Sequence, residues 1–315
     1  MNKRSRIFIA GHGGLVGSAI RRRFEREGYE NLIVRSRTEL DLRDQLAVNA
    51  FFDNVRPDYV ILAAARVGGI LANSTYPADF LIDNLLISTN VIHASYRTGA
   101  RKLINLGSSC IYPRQALQPI REEYLLTGEL EQTNRAYAIA KIAAIELCDA
   151  YRRQFGADFI SAMPTNLYGP GDSFDLSSSH VIPALIRKCH EAKIKKSETV
   201  EVWGSGSPRR ELMHVDDLAD AVLFLMQNFS GSGPINVGTG RDCTVRELAE
   251  LVRKVTGYDG RLVFDPSKPD GTPRKLLDVS KIRELGWSAR IGLEEGLRST
   301  YEWYCEFSMG KVIGP

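Results

Sequence analysis

The stretch Arg6-Ile7-Phe8-Ile9-Ala10-Gly11-His12-Gly13-Gly14-Leu15-Val16-Gly17-Ser18-Ala19-Ile20 decides the fold. Residues 6–10 form an apolar run of strand length, and the glycine-rich turn behind it opens directly into a segment with helical spacing. Its glycines allow a tight turn and close backbone approach. The helix start beyond them offers free amides and the positive end of its dipole to an anion, which fits a dinucleotide's pyrophosphate. Gly11, Gly14 and Gly17 are spaced GxxGxxG rather than GxGxxG. Position in a first strand–helix unit therefore carries the reading more than the motif alone.

Working outward, short apolar runs at 31–35, 59–64, 102–106 and 159–163 alternate with helix-like segments such as Ala47, Val48, Phe51, Phe52 and Val55. Such repetition predicts an α/β fold with a doubly wound parallel sheet of Rossmann type. The longest helix is expected from about 136 to 155, with Gly156 as its C-cap. After Pro164 the pattern changes to a Gly/Pro/Ser-rich loop at 167–179, a helix beginning near Pro183 and turns at 203–208. Asp216 or Asp217 then caps a helix to Gln227, and 234–238 reads as a further strand. The expected division is a cofactor-binding domain of residues 1–165 plus about 212–240. A smaller, discontinuous substrate-binding α/β domain takes about 166–211 plus 241–315. The basic clusters at 21–23 and 193–196 read as solvated helix ends.

A chain of 315 residues, 43% hydrophobic, has enough apolar surface to build a core. Its 41 basic and 38 acidic residues leave a net charge of only +3, which gives no reason to expect a nucleic-acid or membrane partner. Cys110, Cys148, Cys189, Cys243 and Cys305 are scattered without a CxxC pair. That argues against a disulfide framework or zinc site and predicts a reducing compartment, the cytoplasm. The first apolar run is too short for a signal peptide, and the run at 60–71 is broken by Arg66 and two glycines, so no membrane span is expected. Hydrolase and metalloprotease motifs of the GxSxG and HExxH kinds are missing.

At the end of the second strand, where an NAD enzyme commonly places an acid, stands Arg35-Ser36-Arg37. Guanidinium groups suit a 2′-phosphate, which predicts NADP(H). Asp41-Leu42 is placed to meet the adenine, or Asp41 caps the next helix. Tyr137 and Lys141 lie four residues apart, on one helix face. A neighbouring ammonium is expected to lower the phenol from about 10 and make Tyr137 a usable proton donor or acceptor. Ser108 ends the fourth strand.

These residues together resemble the extended short-chain dehydrogenases/reductases. The resemblance extends to the GDP-L-fucose synthase family through Leu106-Gly-Ser-Ser-Cys-Ile-Tyr-Pro113, Pro164-Thr-Asn-Leu-Tyr-Gly-Pro170, Ser179-His-Val-Ile-Pro183 and Lys268-Pro-Asp-Gly-Thr-Pro-Arg-Lys275. It covers nearly the whole chain, with Cys110 and the Ser179–Pro183 segment the most discriminating parts. It implies NADPH-dependent epimerisation of GDP-4-keto-6-deoxy-D-mannose at C3 and C5, reduction at C4, and a homodimer. It also implies Ser108, Tyr137 and Lys141 as the reductive group and Cys110 with His180 as the epimerising pair.

For the cofactor the implied set is Gly11, His12, Gly13, Gly14, Leu15, Val16, Gly17, Arg35, Arg37, Asp41, Leu42, Lys141, Pro164, Thr165, Asn166, Leu167 and His180. For the substrate it is Asn166, Lys188, Trp203, Arg210 and Asp270. Read alone, Cys110 is a small buried apolar residue, His180 a cap or core residue, and Asn166 a loop-ordering side chain. Ala136 stands where many relatives have Pro, and Gly13 where some have Arg, leaving Arg35 and Arg37 for the 2′-phosphate. The rival readings are a 4-epimerase, a 4-reductase without epimerisation, and a catalytically silent NADP-binding regulator.

Overall fold

The computed structural model describes residues 1–176, 179–268 and 270–312. Ser177 and Ser178 of the serine-rich loop, Pro269 of the Lys268–Lys275 motif and residues 313–315 of the expected second domain lie outside the described residues.

In chain order the first half runs β1 (Ile7–Ala10), α1 (Leu15–Arg26), β2 (Leu32–Ile33), α2 (Gln45–Val55), β3 (Tyr59–Leu62), α3 (Ile70–Thr75), α4 (Pro77–Arg97), β4 (Lys102–Leu106), α5 (Arg135–Phe155), β5 (Phe159–Pro164) and β6 (Asn166–Tyr168). The second half runs α6 (Val181–Lys195), β7 (Thr199–Trp203), β8 (Arg209–His214), α7 (Val215–Asn228), β9 (Pro234–Val237), β10 (Asp242–Thr244), α8 (Val245–Thr256), β11 (Arg261–Asp265), β12 (Arg274–Lys275), α9 (Ser280–Glu284) and α10 (Leu293–Val312).

Six parallel strands form the main sheet in the order β2-β1-β3-β4-β5-β9. Alternation fixes the layers: Ile7 and Ile9 pack toward α1 and α7, while Phe8 and Ala10 pack toward α2 and α4. Burial on both faces makes these strands continuous apolar runs in the sequence. Strand order reverses between β1 and β3, which opens a crevice at their C-terminal ends. The glycine turn sits there. β2 is shorter than the run at 31–35 suggests, since at this edge of the sheet only Leu32 and Ile33 pair with β1.

A second body gathers β8 between β10 and β12, with β6 also on β8, and β7 paired to β11. Its core joins Tyr168, Ile186, Val202, Leu248, Val252 and Leu297. Leu277, Val279, Ile282 and Trp287 pack instead in the main sheet's core, across the division drawn from sequence.

Two helix caps differ from expectation by two or three residues. α7 begins at Val215, so its cap is His214, whose Nδ1 accepts from Asp216 N at 3.2 Å. Asp217 accepts instead from the amides of Arg290 and Ile291. α2 is capped by Asp44 rather than Asp41. Arg22 and Arg23 are not merely solvated, since they pair with Asp216 and Asp220 and tie α1 to α7. Gly156 closes α5 in the left-handed conformation, as expected.

Candidate active site

At the crevice Gly11 has φ +88°, and a Cβ on it would lie 2.7 Å from Ala64 Cα, just beyond β3. A Cβ on Gly17 would lie 2.0 Å from Gly11 O. Both contacts are backbone on backbone, so neither can relax. Gly13 faces open space, with nothing within 4 Å of its Cβ position, and α1 starts at Gly14 without a side-chain cap. The first-turn amides of α1, including those of Leu15 and Val16, are thus left for a ligand. His12 Nδ1 beside them is buried and lacks a partner among the described residues. This cradle fits a diphosphate.

Arg35 lies 5.5 Å from the Phe51 ring centre and donates to Val34 O, while Arg37 is exposed and forms no salt bridge among the described residues. Arg43 grips Asp41 through Nε at 3.0 Å and Nη2 at 2.6 Å and holds its carboxyl down at about 2. Arg43 also reaches Asp83, which Arg66 shares with Asp79. Leu42 O accepts from Asn90. On the other side, Pro164 ends β5 opposite Val237, and Leu167 lies on β6 opposite Met213. Thr165 Oγ1 and Asn166 Nδ2 both donate to Glu211 O, at 3.1 and 3.0 Å. The loop-ordering role for the Asn166 amide is therefore present.

Ser108 leaves β4 and caps a buried turn, Ser109–Ile111; its hydroxyl accepts from Cys110 N at 3.4 Å and faces the Tyr137 phenol, which it acts to lower. Lys141, one turn beyond Tyr137 on α5, sits 5.7 Å from that ring's centre and donates to Leu106 O at 2.9 Å. The expected lowering of the phenol does not occur. Burial raises it, with Cys110 acting the same way, and Lys141 itself is drawn down to about 8 by desolvation. In this cleft desolvation outweighs the Ser108 hydroxyl, which acts on the phenol in the lowering direction. Tyr137 is protonated at neutral pH, which suits a donor.

Cys110 is 7% exposed and within electrostatic reach of Tyr137, Lys141 and Lys275. His180 stands at the N-cap of α6 but makes no capping hydrogen bond; the residue as a whole is exposed, yet the protein packed around its ring, together with Lys275, pushes its imidazole below the ordinary 6.5. At pH 7 it is neutral. Lys275, on β12, connects the two by acting on both, and burial lowers its own ammonium. Sequence reading did not single out Lys275. Its signal was its place at the end of the Lys268–Lys275 motif.

α6 runs from His180 toward Lys188, about 12 Å away along the axis at the helical rise. Lys188 Nζ donates to Glu201 O and lies 5.5 Å from the Trp203 ring centre, with Lys268 at 5.7 Å. The indole is 58% exposed. Arg210 spreads its guanidinium over the carbonyls of Arg209, Thr272 and Asp270. Asp270 accepts from Ser205 N and Oγ, each at 2.8 Å. Lys188, Trp203, Arg210 and Asp270 thus share one wall, where an exposed aromatic ring between two ammonium groups matches a flat base bearing phosphates.

The sequence profile of the NAD dependent epimerase/dehydratase family matches residues 7–238. GDP-L-fucose synthase 1 of Arabidopsis thaliana is 58% identical over 303 residues, covering 96% of this chain and 94% of that protein. GDP-L-fucose synthase of Escherichia coli is 56% identical over 312 residues, covering 96% and 97%. Among solved structures, a GDP-mannoheptose C4 reductase from Campylobacter jejuni with NADP bound superposes with a TM-score of 0.89 at 40% identity, covering 97% of this chain and 99% of that one.

Proposed function

The chain belongs to the NAD dependent epimerase/dehydratase family, in its GDP-L-fucose synthase branch, and on that footing we propose how one cleft carries out two reactions. It is an NADP-dependent enzyme that epimerises GDP-4-keto-6-deoxy-D-mannose at C3 and C5 and reduces C4, giving GDP-L-fucose. C3 and C5 both flank the C4 ketone, so their protons are acidic, and the charge left by removing one rests on the C4 oxygen. Cys110 and His180 are the base and acid that remove and return these protons. Tyr137 and Ser108 hydrogen-bond the C4 oxygen, and Lys141 and Lys275 keep the pocket positive while that charge develops. NADPH, when bound, supplies the hydride to C4. Tyr137 then gives its proton to the new alkoxide.

The residues of the glycine turn from Gly11 to Gly17 hold the diphosphate, and Arg35 and Arg37 hold the 2′-phosphate. Asp41 and Leu42 flank the adenine. Pro164, Thr165, Asn166 and Leu167 form the floor beside Lys141 and His180. Lys188, Trp203, Arg210 and Asp270 take the sugar nucleotide, which divides labour between a main-sheet body for cofactor and a second body for substrate. Ile82, Ile139 and Phe155, exposed on α4 and α5, suit a homodimer. The free thiols suit the cytoplasm.

The observation that carries this reading is Cys110 in one pocket with Tyr137 and Lys141, since a plain 4-reductase needs no thiol there. NADPH oxidation should be fast with GDP-4-keto-6-deoxymannose and at least tenfold slower with the UDP and dTDP counterparts. Equal rates would overturn the assignment of the nucleotide.

A further inference from the structure

A second concavity of about 630 Å³ lies apart from this cleft. Its walls are Arg210 and Leu212 of β8, the segment 239–243 between β9 and β10, and the loop 286–293 leading into α10. Ser108, Cys110, Tyr137, Lys141, His180, Lys188 and Trp203 do not line it. Arg210 is shared, but its guanidinium is held by the carbonyls of Arg209, Thr272 and Asp270.

Arg241, Arg283 and Arg290 all line this cavity, and all three are exposed. The side chains of Arg241 and Arg290 make no hydrogen bond or salt bridge among the described residues, and Arg283 gives one N–H to Thr239 O at 2.9 Å. The cavity's one lining carboxylate, Asp242, is already taken by Arg209 at 3.0 Å and Arg274 at 2.6 Å. Asp278 acts electrostatically on Arg283, while the only carboxylate lining the cavity is taken by Arg209 and Arg274, so three guanidinium groups line one concavity with an excess of positive charge that an anion placed there would offset.

The wall is built rather than loose. Trp287 is 4% exposed with its indole N–H on Asp220, and Asp217 holds the amides of Arg290 and Ile291. On the opposite side Gly240 N donates to the buried Glu211 carboxylate at 2.8 Å. Arginine forks recognise phosphate oxygens bidentately, and the volume lies in the range of small-molecule pockets, far larger than one phosphate needs. We propose that this cavity is a second ligand site for a small phosphorylated metabolite whose phosphate groups are held by Arg241, Arg283 and Arg290.

Hydrogen exchange on the full chain, with and without pyrophosphate or ADP, tests this site separately from the cleft. Both probes should protect amides of 239–243 and 286–293 in addition to those of the glycine turn. Stronger protection by ADP would assign a nucleotide, and equal protection a diphosphate group alone. The Arg241→Gln/Arg290→Gln variant should lose protection at 286–293 while reductase kcat and KM stay within about twofold. Protection confined to the cleft, or surviving in the double variant, overturns the proposal. If the double variant does not fold, the unmutated chain decides, since absence of protection at 286–293 overturns it equally.

Discussion

Two side chains in the cleft, Tyr137 and Lys141, hold their protons differently from the same groups in water because the protein strips their solvent. Lys141 at about 8 has a direct consequence for rate. Its ammonium is present below that pH and lost as pH rises through it, so kcat/KM for reduction should fall on an alkaline limb near 8, and Lys141→Arg should move the limb upward. A limb near 10 would contradict the desolvation seen here. Arg37 is exposed and forms no salt bridge among the described residues, so on the proposed assignment Arg37→Ala should lose only its phosphate contact, about 1.5–3 kcal/mol. The KM for NADPH should rise by roughly tenfold to a hundredfold, with NADH little changed; equal effects on both cofactors would remove the 2′-phosphate assignment.

Residues whose roles are local could be read in the sequence. The glycine turn and the Tyr137/Lys141 pair need only their own helix or turn to make sense. Lys275 showed only as the end of a motif, because its electrostatic reach to Cys110 and His180 arises from a distant strand. The direction of the Tyr137 shift was missed for the same reason: spacing shows the ammonium, but burial belongs to the folded whole.

Elements were legible where both faces are buried. β1, β3, β4 and β5 stand out as apolar runs because helices cover them on each side, whereas β2 at the edge pairs over two residues and the run around it overstates its length. Caps were harder, since Asp44 and His214 differ from their rivals by a register that only the folded helix start defines. The joint of β1 and α1 is the most demanding element. A methyl at residue 17 would meet the Gly11 carbonyl at 2.0 Å and His12 Cα at 2.8 Å. Gly17→Ala should therefore cost about 1–3 kcal/mol of stability through forced backbone shifts and abolish tight NADPH binding, whereas Gly13→Ala, with open space around it, should do neither. Thermal unfolding and cofactor titration of the two variants check this, and equal behaviour would show that the turn is not the cradle.

At the scale of the whole molecule, the main sheet brings Tyr137 and Lys141 on α5 to Cys110 behind β4, while the second body contributes His180 at the head of α6 and Lys275 on β12. Under the proposed roles, reduction and epimerisation draw residues from both bodies. The packing of Leu277, Val279, Ile282 and Trp287 into the main core holds those bodies together, a return of the chain that the sequence division at residue 241 did not foresee. The central claim is that proton exchange at C3 and C5 needs the Cys110/His180 pair and no hydride. Incubating the unmutated enzyme with GDP-4-keto-6-deoxy-D-mannose in deuterated water without NADPH, read by mass spectrometry and proton NMR, tests it most directly. Deuterium should enter C3 and C5 with the unmutated enzyme and, more slowly, with Tyr137→Phe, which loses one of the two hydrogen bonds to the C4 oxygen and does not reduce, and most of it should be lost with Cys110→Ala; normal exchange by the Cys110 variant would contradict the account and leave a plain 4-reductase.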